Sequence, residues 1–266
     1  MLSSMPPKKK APAIHPFDTL HGTDTSGLIP GKTIVKGTTA KVEELTAYYG
    51  VAPSILTGLL DRWLQLHPQA AIEQTVFLDI GAGKGRACLL ASQYPFLRVE
   101  GVELNGPLAE IARANLALWA DDPEASALAP VELFHADATV HPVPKEATLA
   151  FLFHPFELPI LRRFLRHIEA SRPEHAAPLD LIYANAEHDS LLDHHGAFER
   201  IWMGRVSMTP EDHVADLAAI AEQKEYGSTG DELCAIYRYV GRGGKPVGAA
   251  ERRGPKLVVR DSKKGS

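Results

Sequence analysis

Asp79, Gly81, Gly83 and Gly85 stand at every second position of one short stretch, Val76-Phe77-Leu78-Asp79-Ile80-Gly81-Ala82-Gly83-Lys84-Gly85-Arg86-Ala87. Glycine carries no Cβ, so alternate glycines let the backbone pass close to a bound molecule. A dinucleotide is one candidate guest. Its fingerprint, Gly-x-Gly-x-x-Gly, puts a glycine where this chain has Arg86, and its diphosphate would meet the carboxylate of Asp79. A cationic ligand suits the turn better. Two further acids close apolar runs downstream: Glu103 in Arg98-Val99-Glu100-Gly101-Val102-Glu103-Leu104, and Asp137 in Val131-Glu132-Leu133-Phe134-His135-Ala136-Asp137-Ala138. A carboxylate at the first of these can accept both hydroxyls of a ribose, a device that dinucleotide enzymes share. A fourth run, Ala147–Phe153, ends in His154-Pro155-Phe156-Glu157. The imidazole titrates in the range useful to a general base. Pro155 is expected to hold His154 in an extended backbone. Whether His154 is a base or a residue that shapes the pocket stays open.

The elements that position these residues follow from periodicity. The apolar runs ending at Ile80, Leu104, Ala138 and Phe153 read as strands, and the last is apolar throughout, as a central parallel strand should be. Helices are expected from Ala87 to about Gln93, from Pro107 to Trp119 with Asn105 as its cap, and from Pro159 to Ala170. The polar side of the last, with Arg162, Arg163, Arg166 and His167, reads as a solvated face. A fifth strand, Leu179–Ala184, precedes Asn185-Ala186-Glu187-His188; Phe198–Met208 and Glu232–Val240 read as two more strands around a helical insertion, Pro210–Glu225. Upstream, Phe17–Gly37 reads as an ordered loop, and Lys41–Tyr49 and Pro53–Leu66 as two covering helices. Tyr48 and Tyr49 lie where an aromatic lid could form.

The turn Asp79-x-Gly81-x-Gly83-x-Gly85 after a strand, with Glu103 and Asp137 at the next two strand ends, resembles the class I, seven-stranded S-adenosylmethionine (SAM)-dependent methyltransferases over roughly residues 40–240. Gly-Lys-Gly-Arg followed by Val-Glu-Leu is most similar to uncharacterised bacterial members and, more loosely, to the seven-strand histone lysine methyltransferases. The resemblance implies an α/β fold with a doubly wound, mostly parallel seven-stranded Rossmann-like sheet. It implies SAM as cofactor, held by Asp79, Gly81, Ala82, Gly83, Gly85, Glu103, Leu104, Asp137 and Ala138, with His154, Pro155 and Phe156 facing the methyl group. Members that methylate amide or exocyclic amino nitrogens carry Asn/Asp-Pro-Pro-Tyr/Phe at this place. This chain has His154 for the first residue and a single proline, so the acceptor is expected to be an unidentified nitrogen or oxygen of a small molecule or protein side chain. A noncatalytic SAM-binding module and a dinucleotide-dependent oxidoreductase are the alternatives; Asp79 and Arg86 weigh against the second. Catechol-type relatives that use a metal place an acid where His154 stands. Glu187, His188, Asp193, His194 and His195 match no zinc spacing. No metal is therefore expected.

Composition sets the bounds. A chain of 266 residues with 45% hydrophobic residues and a mean hydropathy of −0.12 can bury one good-sized core. No run reaches the ~18 apolar residues of a membrane span, and Met1–Pro12 lacks the apolar stretch of a signal peptide. A cytoplasmic protein is expected. Of 28 Lys/Arg and 33 Asp/Glu, eleven and two fall in residues 1–17 and 241–266, leaving 17 against 31 in the body and a net of −14 there. Such a body does not favour nucleic acid. Cys88 and Cys234 suggest neither a disulfide framework nor a cysteine zinc site. The expected organisation is a disordered tail (1–16), an N-terminal loop and helical cover (17–70), a SAM-binding domain (71–240) and a disordered basic tail (241–266).

Overall fold

The computed structural model describes residues 13–34, 46–172, 176–221 and 227–241. Most of both tails lies outside them. Seven strands form one sheet: β1 (Thr75–Ile80), β2 (Arg98–Glu103), β3 (Val131–His135), β4 (Ala147–Phe153), β5 (Leu179–Ala184), β6 (Phe198–Ser207) and β7 (Asp231–Tyr239). Their spatial order is β3-β2-β1-β4-β5-β7-β6. The first five are parallel, and β7 runs antiparallel between β5 and β6. This is the expected doubly wound sheet. The direction of winding reverses between β1 and β4, whose carboxyl ends form the crevice where such sheets bind ligands.

Helices cover both faces: α1 (Pro16–His21), α2 (Gly31–Ile34), α3 (Pro53–Gln65), α4 (Arg86–Ser92), α5 (Gly106–Ala120), α6 (Leu158–Ser171), α7 (Asp189–Asp193) and α8 (Pro210–Ile220). Strand alternation divides the core. Phe77, Leu149 and Phe151 point to the face covered by α3 and α4, where Ile55, Leu56, Leu59, Leu60 and Trp63 are buried. Leu78, Ile80, Ala150 and Leu152 point to the other face, where α6 inserts Ile160, Leu161, Phe164, Leu165 and Ile168. Each fully buried side chain of this size contributes about 1.5–3 kcal/mol by leaving water. The buried carboxylate of Asp180 is paired: it accepts from Trp63 Nε1 at 2.9 Å and from Arg238 at 2.9 and 3.1 Å.

The N-terminal segment departs from expectation. Where Phe17–Gly37 was expected as a loop, α1 enters from Pro16 and is stopped by Gly22 in a left-handed conformation, and α2 follows; residues 35–37 lie outside the described residues. His15, assigned to the tail, is buried and accepts the Phe17 amide at 3.1 Å. Residues 41–45 of the predicted Lys41–Tyr49 helix lie outside the described residues. Its remainder is not helical, because Tyr48 pairs with Ile29 in an antiparallel bridge with N···O distances of 2.9 and 3.0 Å. The third strand ends at His135, so Asp137 lies in the following loop. The insertion helix ends at Ile220, and 222–225 lie outside the described residues. No described helix is long and apolar enough to cross a membrane.

Candidate active site

The turn between β1 and α4 takes left-handed conformations at Gly81 (φ 77°), Gly83 (φ 56°) and Gly85 (φ 91°), which residues with a Cβ reach only at a cost. Two of these glycines also meet neighbours closely. A Cβ on Gly81 would stand 2.6 Å from Pro155 Cβ, and one on Gly83 would stand 2.3 Å from Tyr48 Cε2. The turn's amides are committed within the protein. Gly81 and Ala82 donate to Val102 O at 2.9 and 3.1 Å, Gly85 donates to Ala82 O at 2.8 Å, and Gly83 donates to Glu103 Oε2 at 2.7 Å.

Glu103 closes β2 and is fixed from both sides, because Asn105 N–H reaches its other oxygen at 2.7 Å. Burial raises its pKa above the ordinary carboxylate value, opposed by hydrogen bonds from the Asn105, Gly83 and Leu104 backbone. Each oxygen has taken one of these two amides and keeps acceptor capacity. Asn105 also caps α5, accepting the Leu108 amide at 3.0 Å, and ties down the N-terminal segment by donating to Ile34 O at 2.7 Å.

These groups border an open cavity at the carboxyl ends of β1, β2 and β4. Of the residues expected at a cofactor or acceptor, Gly81, Gly83, Glu103, Leu104, Asp137, Ala138, Pro155 and Phe156 line it. Asp79, Ala82, Gly85 and His154 do not. Asp79 alternates with Leu78 and Ile80 and therefore points under α4, where it accepts a weak hydrogen bond from Cys88 Sγ at 3.4 Å. Burial pushes its pKa up to about 7, with Cys88 opposing and Glu103 adding to the rise. Gly85 abuts Ala112 of α5, and Ala82 packs toward Gly101.

The opposite wall comes from the N-terminal segment. Tyr48 lies over Gly83 and donates to Thr25 O at 2.7 Å; Tyr49, also lining the cavity, hydrogen-bonds Asp216 of α8. Arg86, the residue that breaks the dinucleotide fingerprint, turns away from the cavity. Its Nε donates to Thr25 Oγ1 at 2.7 Å and its Nη1 to Gly50 O at 3.3 Å, stitching that segment to α4. Lys84 adds an ion pair to Asp24 at 2.7 Å. Arg163 is exposed, as expected of that helix face, and from there it also lines the cavity and faces Asp137 at 3.8 Å. The signal for it was its place one turn after Ile160, another lining residue.

His154 closes β4 with φ 41°, left-handed where an extended backbone was expected. Its carbonyl accepts from Thr46 Oγ1 at 2.7 Å, and Nδ1 lies 2.9 Å from the Tyr183 hydroxyl; these contacts select the conformation over the bias imposed by Pro155. The ring is turned from the cavity toward Glu187, with Nε2 3.6 Å from Oε2, and toward His188, whose ring centroid is 5.0 Å away. His188 Nε2 lies 3.2 Å from Glu157 Oε2. Burial lowers the His154 pKa, with Glu187 opposing. Asp193, grouped with these residues in sequence, instead pairs with Arg200 at 2.7 Å.

No family model matches the chain. It is 45% identical over 60 residues to the tRNA1(Val) (adenine(37)-N6)-methyltransferase of Porphyromonas gingivalis, a match covering 22% of this chain and 23% of that protein. The chain thus spans under a quarter of the length of the curated relative it matches. Solved structures similar to it include an RNA methyltransferase from Salinibacter ruber in complex with S-adenosyl-L-homocysteine (21% identity, 72% of this chain, 95% of that one, TM-score 0.40). Another is a precorrin-6y C5,15-methyltransferase from Geobacter metallireducens (18% identity, 71% and 93%, TM-score 0.43).

Proposed function

We propose that this chain, a Rossmann-like α/β protein with the class I methyltransferase strand order, is a SAM-dependent methyltransferase. One observation carries the choice of cofactor. The amides of Gly81, Ala82, Gly83 and Gly85 are all donated inside the protein, so the glycine turn offers none of them to a phosphate, while Glu103 is held in place with acceptor capacity to spare. A ligand with a vicinal diol, a positive charge and no phosphate fits this donor set; a dinucleotide does not.

In this reading Glu103 accepts the ribose hydroxyls, Asp137 accepts the adenine amino group, and Leu104, Leu108 and Ala138 supply its apolar walls. Gly81 and Gly83 admit the amino-acid end of the ligand beside Tyr48. When bound, SAM supplies a methyl carbon already activated by its sulfonium. The protein's task is then alignment of an acceptor lone pair with that carbon, a positional contribution that needs no nucleophilic side chain. Pro155 and Phe156 give the acceptor side a rigid apolar wall, and Pro155 is buttressed by Gly81. His154 acts from behind that wall, holding its position through Tyr183 and Thr46.

The acceptor is a nitrogen or oxygen. An RNA acceptor is suggested by the short match to a tRNA adenine-N6 methyltransferase; the net −14 of residues 18–240 and the lone proline of His154-Pro155-Phe156 weigh against it. Calorimetry tests the cofactor: SAM and S-adenosylhomocysteine are expected to bind and NAD is not. Binding of NAD with SAM ignored overturns the proposal. Labelled-methyl transfer into a lysate fractionated into RNA, protein and small molecules distinguishes an enzyme from a noncatalytic binder.

A further inference from the structure

We infer that His154, Glu157 and His188 form a site for one first-row divalent transition-metal ion beside the acceptor wall of the cavity. One ligand atom from each lies within 4.8 Å of the others. Around an ion bound at about 2.0–2.2 Å, donor atoms stand roughly 3–4 Å apart, so small rotations of Glu157 and His188 close the set.

The fold assembles the donors from two strand ends. β4 delivers His154 and, three residues on, Glu157 at the start of α6; β5, paired to β4 through Phe153 and Ala184, delivers His188 at the start of α7. That pairing joins groups about thirty positions apart in sequence, which is why no metal spacing was visible there. The Tyr183 hydroxyl at 2.9 Å from His154 Nδ1 leaves Nε2 facing the cluster, the outer-shell arrangement that orients a metal-binding imidazole. Glu187 stands 3.6 Å from the same Nε2 as a fourth oxygen donor. Two imidazoles with carboxylates suit zinc, cobalt, nickel, manganese or iron(II) rather than magnesium or calcium. His154 is largely buried, whereas the Glu157 and Glu187 side chains are 41% and 58% exposed, leaving the solvent side open for an exchangeable ligand. Because Pro155 and Phe156, between two of the donors, line the cavity, an oxygen of the acceptor is the ligand that side suits. Only this last role rests on the methyltransferase proposal; the metal site itself does not.

The test uses the full chain stripped with a chelator and titrated with CoCl2, followed by visible absorption and by calorimetry. A single saturating equivalent with ligand-field bands is expected, weakened at least ~10-fold in Glu157→Gln and in His188→Ala. It should be unchanged in His194→Ala, whose imidazole hydrogen-bonds Ser190 O outside the cluster. Circular dichroism checks that each variant is folded. No saturable uptake by the wild type, or uptake that survives both Glu157→Gln and His188→Ala, overturns the site. SAM calorimetry on the same stripped protein reports on the cofactor proposal separately.

Discussion

The ring of Tyr48 occupies the space that a side chain on Gly83 would need, with Cε2 2.3 Å and Cδ2 2.5 Å from the position of a β-carbon. The N-terminal segment and the glycine turn are therefore shaped to one another. Gly83→Ala has to displace Tyr48, break its hydrogen bond to Thr25 O and hold alanine at φ 56°, which alone costs about 1–2 kcal/mol. The expected result is at least ~10-fold weaker SAM binding by calorimetry, together with a lower melting temperature. Unchanged affinity would remove Tyr48 from the ligand wall.

Glu103→Ala leaves the buried Gly83 and Asn105 amides without their acceptor and removes the partner proposed for the ribose. A loss of roughly 1.5–3 kcal/mol in SAM affinity is expected. Hydroxyl donors favour the ionised carboxylate, and burial raises the Glu103 pKa. SAM affinity should therefore fall as pH drops through that raised value. Glu103→Gln should bind more weakly at neutral pH and lose this dependence. An identical pH profile in wild type and Glu103→Gln would place another group at the ribose.

Asp79 should appear in stability instead. Its folded pKa of about 7 exceeds the ordinary value of 3.8, so the native state holds an extra proton between those limits. Stability is then greatest below the unfolded pKa and declines as pH rises through about 7, by an amount on the order of 4 kcal/mol at most. Urea unfolding at several pH values should show Asp79→Asn gaining on the wild type as pH rises and matching it most closely in acid. A variant less stable than wild type above pH ~8 would show that the ionised carboxylate is well solvated.

Asp137 makes a weaker case for affinity. Its side chain is 38% exposed and shared with Arg163, and one oxygen already accepts the Thr139 amide at 2.8 Å. Asp137→Ala is expected to weaken SAM by only about 1 kcal/mol, since adenine keeps its apolar walls. A loss equal to that of Glu103→Ala would assign Asp137 a larger part in holding the ligand.

Local chemistry explains what could be read from the chain. Strand periodicity, the left-handed glycines and the acid closing β2 each declare themselves within a few residues. The side-chain direction of Asp79 was also accessible, because alternation from Leu78 and Ile80 sends it beneath α4. Contacts over long separations were not. Arg86 reaches Thr25, Tyr49 reaches Asp216, and Glu157 meets His188 only after the sheet is assembled. His154 shows tertiary contacts overriding a dipeptide preference: the bias imposed by Pro155 yields to hydrogen bonds with Thr46 and Tyr183.

The place of β7 also bears on how the chain is made. Asp231–Tyr239 fills the slot between β5 and β6, although both of those strands precede it in synthesis. A growing chain therefore carries Leu179–Ala184, buried throughout in the finished sheet, with one hydrogen-bonding edge unsatisfied until β7 emerges. The same late stretch follows α8, whose Asp212 and Asp216 tether Ser54 and Tyr49. Tyr49 in the cavity wall therefore gains its Asp216 partner only after α8 has been synthesised, whereas the contacts of Arg86 with Thr25 and Gly50 can form much earlier.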